Sequence, residues 1–237
     1  MRKRLVLWDV DHTLVNAGGL SPHLYGLVFA ELFGRRLQEV APMAGRTDRA
    51  IILDTLSRAG VPQAAQHVCA FATALAAHAP AFGDRVRERG RALPGAARVL
   101  HTLAASGDKQ VCGTNVVQSV LTGNLRPLAE AKLGTLGLAE YLDLDIGAYG
   151  DAHEDRAQLV HLARDNAARV HGMTFAGGQT VLVGDTPLDV AAALATGARS
   201  VAVATGATSA AELAVAGAHV VLPDLTDTAA VITAILA

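Results

Sequence analysis

A chain of 237 residues is long enough for one large α/β domain or for a core carrying a smaller insert. With 51% hydrophobic but only 4% aromatic residues, its core has to be built from Ala, Val and Leu. The net charge of −2 gives no general attraction for nucleic acid or an anionic membrane, so any phosphate-binding charge is local. Two cysteines, Cys69 and Cys112, are too few for a disulfide framework or a thiolate metal site and fit a reducing compartment. Met1-Arg2-Lys3-Arg4 begins like a signal peptide, but the apolar run that follows reaches only Trp8. No apolar run approaches the roughly 20 residues that span a bilayer, and a cytoplasmic protein is the expectation.

The first predicted strand is the apolar run 5–8, which ends on two carboxylates one residue apart, Asp9 and Asp11, followed by Thr13. Leu, Val and Trp on successive positions suit a strand covered on both faces, as at the centre of a parallel sheet. Open α/β sheets bind ligands outside the carboxyl ends of their strands, where Asp9 and Asp11 would emerge. Two carboxylates held there repel each other and lose hydration, and a divalent metal is the simplest compensation.

From residue 22 to about residue 90 the apolar spacing is helical. Leu24, Leu27, Val28 and Leu32 suit one amphipathic helix, and Ile51, Ile52, Thr55 and Leu56 share a face of a second over 48–59. The Ala-rich stretch 63–79 predicts a third, broken at Pro80. Residues 17–88 are therefore expected to form an all-helical insert in a core made of residues 1–16 and 89–237.

Strand–helix alternation then resumes, with a helix over 96–105, a strand over 109–116 ending on Thr114 and Asn115, and a helix over 125–137. Over 141–149, Leu142, Leu144 and Ile146 alternate with Asp143 and Asp145, which predicts a peripheral strand. A helix over 155–168 leads to a buried strand over 179–185 that runs into Asp185, and a helix over 188–197 follows. The chain closes as strand 200–204, helix 209–216, strand 219–222 and helix 228–236. Such repetition implies an α/β fold with a doubly wound parallel sheet.

Three predicted strands thus end in polar residues at one edge: Asp9 and Asp11, Thr114 and Asn115, and Asp185 followed by Asp189. Asp9-Val-Asp-His-Thr-Leu-Val, Thr114-Asn115 and Val183-Gly-Asp-Thr-Pro-Leu-Asp189 resemble three of the four motifs of the haloacid dehalogenase-like hydrolase superfamily. The helical insert sits where that superfamily often places a mobile cap, as in its phosphoglycolate phosphatase and β-phosphoglucomutase-like branch. The resemblance implies that Asp9 is a nucleophile forming an aspartyl-phosphate, and that Asp11 is general acid and then general base. It also implies Mg²⁺ held by Asp9, Asp11 (through its backbone carbonyl) and Asp185, with Asp189 as a further ligand. Thr114 would donate its hydroxyl to the phosphoryl group, with Asn115 beside it. The dehalogenases of the superfamily lack the second acid, so Asp11 points to phosphoryl transfer. His12 stands where Gly is usual.

For the remaining motif, a cation that balances Asp9 and the phosphoryl group, Arg156 is the first candidate by position. Lys132 is the alternative, being the only lysine between the second and last motifs. Arg46 and Arg49 stand at a helix start from which an insert side chain can meet substrate, although a solvated helix end accounts for them equally well. Asp189 likewise suits the start of its own helix. His23, His67, His78 and His101 show no metal-ligand spacing. The expected activity is a Mg²⁺-dependent phosphatase acting on a small phosphorylated metabolite, with no nucleic-acid or membrane partner, as a monomer or homodimer. A phosphomutase of the β-phosphoglucomutase type and a non-catalytic phospho-ligand-binding protein of the same fold are the rivals.

Overall fold

The computed structural model describes residues 2–105 and 114–237. Its first half contains β1 (Arg2–Trp8), β2 (Val15–Asn16), α1 (Leu20–Phe33), α2 (Asp48–Arg58), α3 (Ala64–Ala77), α4 (Ala79–Arg89), β3 (Arg91–Ala92) and α5 (Ala96–Ala104). The second half contains β4 (Thr114–Val120), α6 (Arg126–Thr135), α7 (Arg156–His171), β5 (Thr180–Gly184), α8 (Pro187–Ala195), β6 (Arg199–Val203), α9 (Ala210–Val215), β7 (Val220–Leu222) and α10 (Thr228–Leu236). Five parallel strands form one sheet in the order β4-β1-β5-β6-β7. This is the α/β, doubly wound parallel arrangement that the alternation predicts.

β1 lies inside the sheet, and the strand period of two sends its side chains alternately to opposite faces. Val6 and Trp8 pack with Val99, Leu100 and Leu103 of α5 and Ile235 of α10. Leu5 and Leu7 pack with Leu159, Val160 and Ala163 of α7 and Ala193 of α8. All four β1 residues are fully buried, which explains the unbroken apolar run. The register aligns the strand ends: Trp8 faces Val120 of β4 on one side and Val183 of β5 on the other. The residues just beyond, Asp9, Leu121 and Gly184, therefore emerge in one row.

Helices α1 to α4 share a core of their own, including Tyr25, Phe29, Ile52, Leu56, Phe71, Leu75 and Phe82, which is continuous with Leu125 and Leu128. The chain enters and leaves this helical segment through β2 and β3, which pair antiparallel, Val15 with Ala92 and Asn16 with Arg91. Four helices stand where the spacing predicts three. The helix break expected at Pro80 does fall there, between α3 and α4, but the chain re-enters a helix at once, because in the first turn of α4 the missing N–H of Pro80 has no partner to lose.

Two further expectations are corrected. Residues 141–149 form no regular strand: a 3₁₀ turn at Ala139–Tyr141 leads into a loop touching the sheet through a bridge from Ala148 to Leu121. Its alternation arises because Leu142 and Ile146 are buried while Asp145 is exposed, and the loop covers the outer edge of β4. The strand expected over 109–116 continues past its expected end. Residues 109–113 lie outside the described residues, and β4 runs to Val120 in seven-residue register with β1. Among the described residues, no helix is long and apolar enough to cross a membrane.

Candidate active site

Beyond β1 the backbone folds into a tight turn in which Val10 O accepts from the amides of Leu14 and Val15, and His12 N donates to Val15 O. His12 takes a left-handed conformation (φ 62°), the region that favours glycine, and its carbonyl accepts the Thr205 hydroxyl. The turn aims Asp9 and Asp11 at different partners. Thr13 lies beneath Asp9, its hydroxyl 3.3 Å from Asp9 Oδ2 and 3.5 Å from Asp185 Oδ1.

Each catalytic-type carboxylate has its own buried cation. Arg156, the first residue of α7 and only 6% exposed, donates from Nη2 to Asp9 Oδ1 at 2.6 Å and to Leu121 O at 3.2 Å. The same nitrogen lies 2.6 Å from Asp189 Oδ1, outside hydrogen-bond geometry. Lys132 of α6 is fully buried, and its Nζ donates to both oxygens of Asp11, at 2.8 and 2.6 Å, and to Asn124 Oδ1 at 2.7 Å. Asn124 in turn donates to Asp11 Oδ2 and to Thr122 Oγ1, each at 2.7 Å.

Electrostatics separate the acids. Burial pushes Asp9 up to about 7, with Arg156 opposing and Asp189 and Asp11 reinforcing the shift. Burial likewise pushes Asp185 up to about 8, helped by Asp9 and Asp189. Asp11 behaves oppositely: burial raises it, but Lys132 and Asn124 outweigh burial and hold it below the usual carboxylate range. Oxygens of Asp9, Asp185 and Asp189 lie within 4.8 Å of one another. Against four carboxylates at this edge stand two buried cations, Arg156 and Lys132. Negative charge is therefore in excess at this edge, a divalent ion would offset it, and an all-oxygen donor set suits Mg²⁺.

The row of strand ends forms the floor of a cavity of about 350 Å³, with Asp9, Asp11, His12, Thr122, Asn124 and Asp185 on one side and Leu20, Met43, Arg46 and Ile51 of the helical segment on the other. The start of α2 joins the two sides. Asp48 N donates to Gly123 O at 2.6 Å, and the Asp48 carboxylate accepts from the Tyr25 hydroxyl and from Leu125 N at 2.6 and 2.7 Å. Arg49 pairs with Glu154 across the same junction.

A profile of the haloacid dehalogenase-like (HAD) hydrolases matches residues 6–194, which spans this whole edge. The chain belongs to the HAD hydrolase family. No curated protein matches it. Among solved structures, a predicted phosphatase from Clostridium acetobutylicum is similar over 98% of this chain and 100% of its own, with 16% identity and a TM-score of 0.68. A HAD-like hydrolase from Streptococcus pneumoniae matches over 97% and 98%, at 16% identity and a TM-score of 0.64. A protein from Thermotoga maritima, provisionally named a beta-phosphoglucomutase, matches over 97% and 98% with 18% identity and a TM-score of 0.59. These likenesses establish the fold.

In this HAD chain Asp9, Asp11, Lys132, Arg156, Asp185 and Asp189 converge on one edge. Thr114 and Asn115 do not. They stand at the amino end of β4, Thr114 opposite Arg2, roughly 20 Å of strand away from the cavity. The residues in their expected place are Thr122 and Asn124, just beyond the end of β4. Arg46 lines the cavity, but its Nη1 donates to Asp54 at 2.8 Å and to Pro42 O, and its Nη2 to Ala50 O. Asp189 closes a capping box with Thr186, accepting from its hydroxyl at 2.6 Å, and also faces Arg156. Asp48, Thr13 and Gly206 escape the sequence reading as site residues. A Cβ at Gly206 would overlap the Asp185 carboxylate, so the glycine is what lets the chain pass that close. Gly206→Ala is expected to displace Asp185 and to weaken Mg²⁺ binding by about 10–100-fold in a titration followed by thermal unfolding.

Proposed function

We propose that the chain is a cytoplasmic, Mg²⁺-dependent phosphatase that hydrolyses the monoester of a small phosphorylated metabolite through an aspartyl-phosphate on Asp9, with residues 17–88 acting as its cap. The observation that carries this reading is the separation of two adjacent carboxylates onto two buried cations. Asp9 is held by Arg156 and Asp11 by Lys132. Removal of a halide needs no proton donor, whereas an alkoxide leaving group does, and Asp11 is positioned independently of Asp9 to supply one.

Asp11, ionised beside Lys132 before substrate binds, would first take up a proton with the incoming ester; Asp9, with Arg156 fixing it through Oδ1, then attacks phosphorus, and the P–O bond to the alcohol breaks as Asp11 gives that proton to the departing oxygen. A water then attacks the phosphoryl group, Asp11 takes its proton, and the Asp9 carboxylate leaves. Asp9, Asp185 and the backbone carbonyl of Asp11 would hold Mg²⁺, which neutralises charge on the phosphoryl oxygens. Arg156 acts on Asp9 from behind the cavity floor, its planar fork lying between Asp9 and Asp189, so that it orients the nucleophile and balances its charge. Thr122, which lines the cavity where Thr114 does not, would donate its hydroxyl to the phosphoryl group. Closing the helical segment over the cavity excludes water and strengthens each of these terms.

Phosphate release from a panel of phosphorylated metabolites and 4-nitrophenyl phosphate, with and without Mg²⁺, tests the reading; no release from any compound by folded, Mg²⁺-loaded protein contradicts it. A second test uses stability. Because folding raises the Asp185 pKa from 3.8 to about 8, the metal-free folded chain holds that proton more tightly than the unfolded chain. Metal-free stability should therefore fall as pH rises from about 4 toward 8. Asp185→Asn is expected to raise the metal-free unfolding temperature at pH 8. Mg²⁺ at a hundred times its dissociation constant should raise that of the wild type by about 5–10 °C and leave the variant unmoved.

A further inference from the structure

We infer that the site selects phosphate monoesters whose alcohol part is uncharged and largely apolar, and that a second anionic group on the substrate is rejected; the inference rests on the phosphatase reading. With the phosphoryl end at Asp9, the rest of the substrate occupies the cavity beneath the helical segment, where Leu20, Pro22, Met43 and Ile51 form the wall. Among the described residues, Arg46 is the only lysine or arginine lining that cavity. Its two terminal nitrogens are turned away to Asp54, Pro42 O and Ala50 O, and Asp54 is shared with Arg58 through its other oxygen. Arg156 and Lys132 are committed to Asp9, Asp189 and Asp11 behind the floor. A second carboxylate or phosphate would lose its hydration against this apolar wall, and besides Arg46 and the His12 imidazole the ionisable side chains it would meet are the acids Asp9, Asp11, Asp48 and Asp185. An uncharged alkyl or hydroxyalkyl group meets apolar surface, with Asn16 and Ser21 at the cavity edge as polar contacts. The same wall disfavours a sugar bisphosphate, the primer that a phosphomutase requires.

Isobutyl phosphate and phosphoglycolate have the same number of heavy atoms and differ in whether the far end is two methyl groups or a carboxylate. Each is offered with saturating Mg²⁺, as substrate and as competitor of 4-nitrophenyl phosphate hydrolysis, whose own turnover establishes the phosphatase reading separately. Isobutyl phosphate is expected to act at concentrations at least about tenfold lower than phosphoglycolate in the wild type. In Asp54→Asn, which loosens the hold on Arg46, phosphoglycolate should gain while isobutyl phosphate stays unchanged. Phosphoglycolate equal to or better than isobutyl phosphate in the wild type would overturn the inference with the phosphatase intact. Absence of 4-nitrophenyl phosphate hydrolysis would remove both.

Discussion

Asp9→Asn should lower Mg²⁺-dependent phosphate release by at least about 10⁴-fold while leaving the chain folded. The amide keeps the shape of the carboxylate but cannot attack phosphorus. The substitution is tolerable to the fold because Asp9 is a reluctant anion, pushed up to about 7 by burial and neighbouring acids, so a neutral side chain relieves repulsion with Asp189 and Asp11. Arg156 then keeps Asp189 as its partner. Phosphate release and thermal unfolding measured on the same preparation separate the two effects. Near-wild-type release in the folded variant would remove Asp9 from the role of nucleophile.

Arg156→Met should act on stability as strongly as on activity. The guanidinium is 6% exposed and lies between Asp9 and Asp189, with Asp185 beside them. Removing it leaves buried carboxylates without their shared cation, a loss of about 3–5 kcal/mol when one partner of a buried pair is deleted. Chemical denaturation in the absence of Mg²⁺ measures that loss. The double variant Arg156→Met/Asp189→Asn should recover part of the stability, since one of the stranded charges is gone, but none of the activity. Unchanged stability in the single variant would contradict a structural counter-ion role for Arg156.

The parts of the site that were readable in the sequence are those where a buried strand meets an acid. Leu5 to Trp8 and Val181 to Val183 are apolar on both faces, so Asp9 and Asp185 mark the strand ends without ambiguity. The end of β4 is hidden in the sequence because its buried half carries Gln118 and Ser119. Both are satisfied locally: Gln118 bonds the Trp8 indole and Leu100 O, and Ser119 bonds Asp143 O. Those partners come from elements distant in sequence, so the apolar pattern marks a strand only over 109–116, whereas its pairing with β1 continues to Val120. Thr122 and Asn124 follow from that register alone. The two cations were competing candidates for one role in the sequence; the structure gives Arg156 and Lys132 different carboxylates, a distinction that only the packing of α6 and α7 against the sheet edge produces. His12 departs from the glycine usual at its position yet keeps a left-handed backbone, so the turn survives the exchange.

The most direct test of the account is to mix the Mg²⁺-loaded enzyme with 4-nitrophenyl phosphate, quench in acid within a single turnover, and map the phosphoryl adduct by peptide mass analysis. The account predicts an acid-stable, base-labile adduct on Asp9 that is absent from Asp9→Asn. Rapid phosphate release from the wild type with no protein adduct at any quench time, or an adduct on another residue, would contradict it.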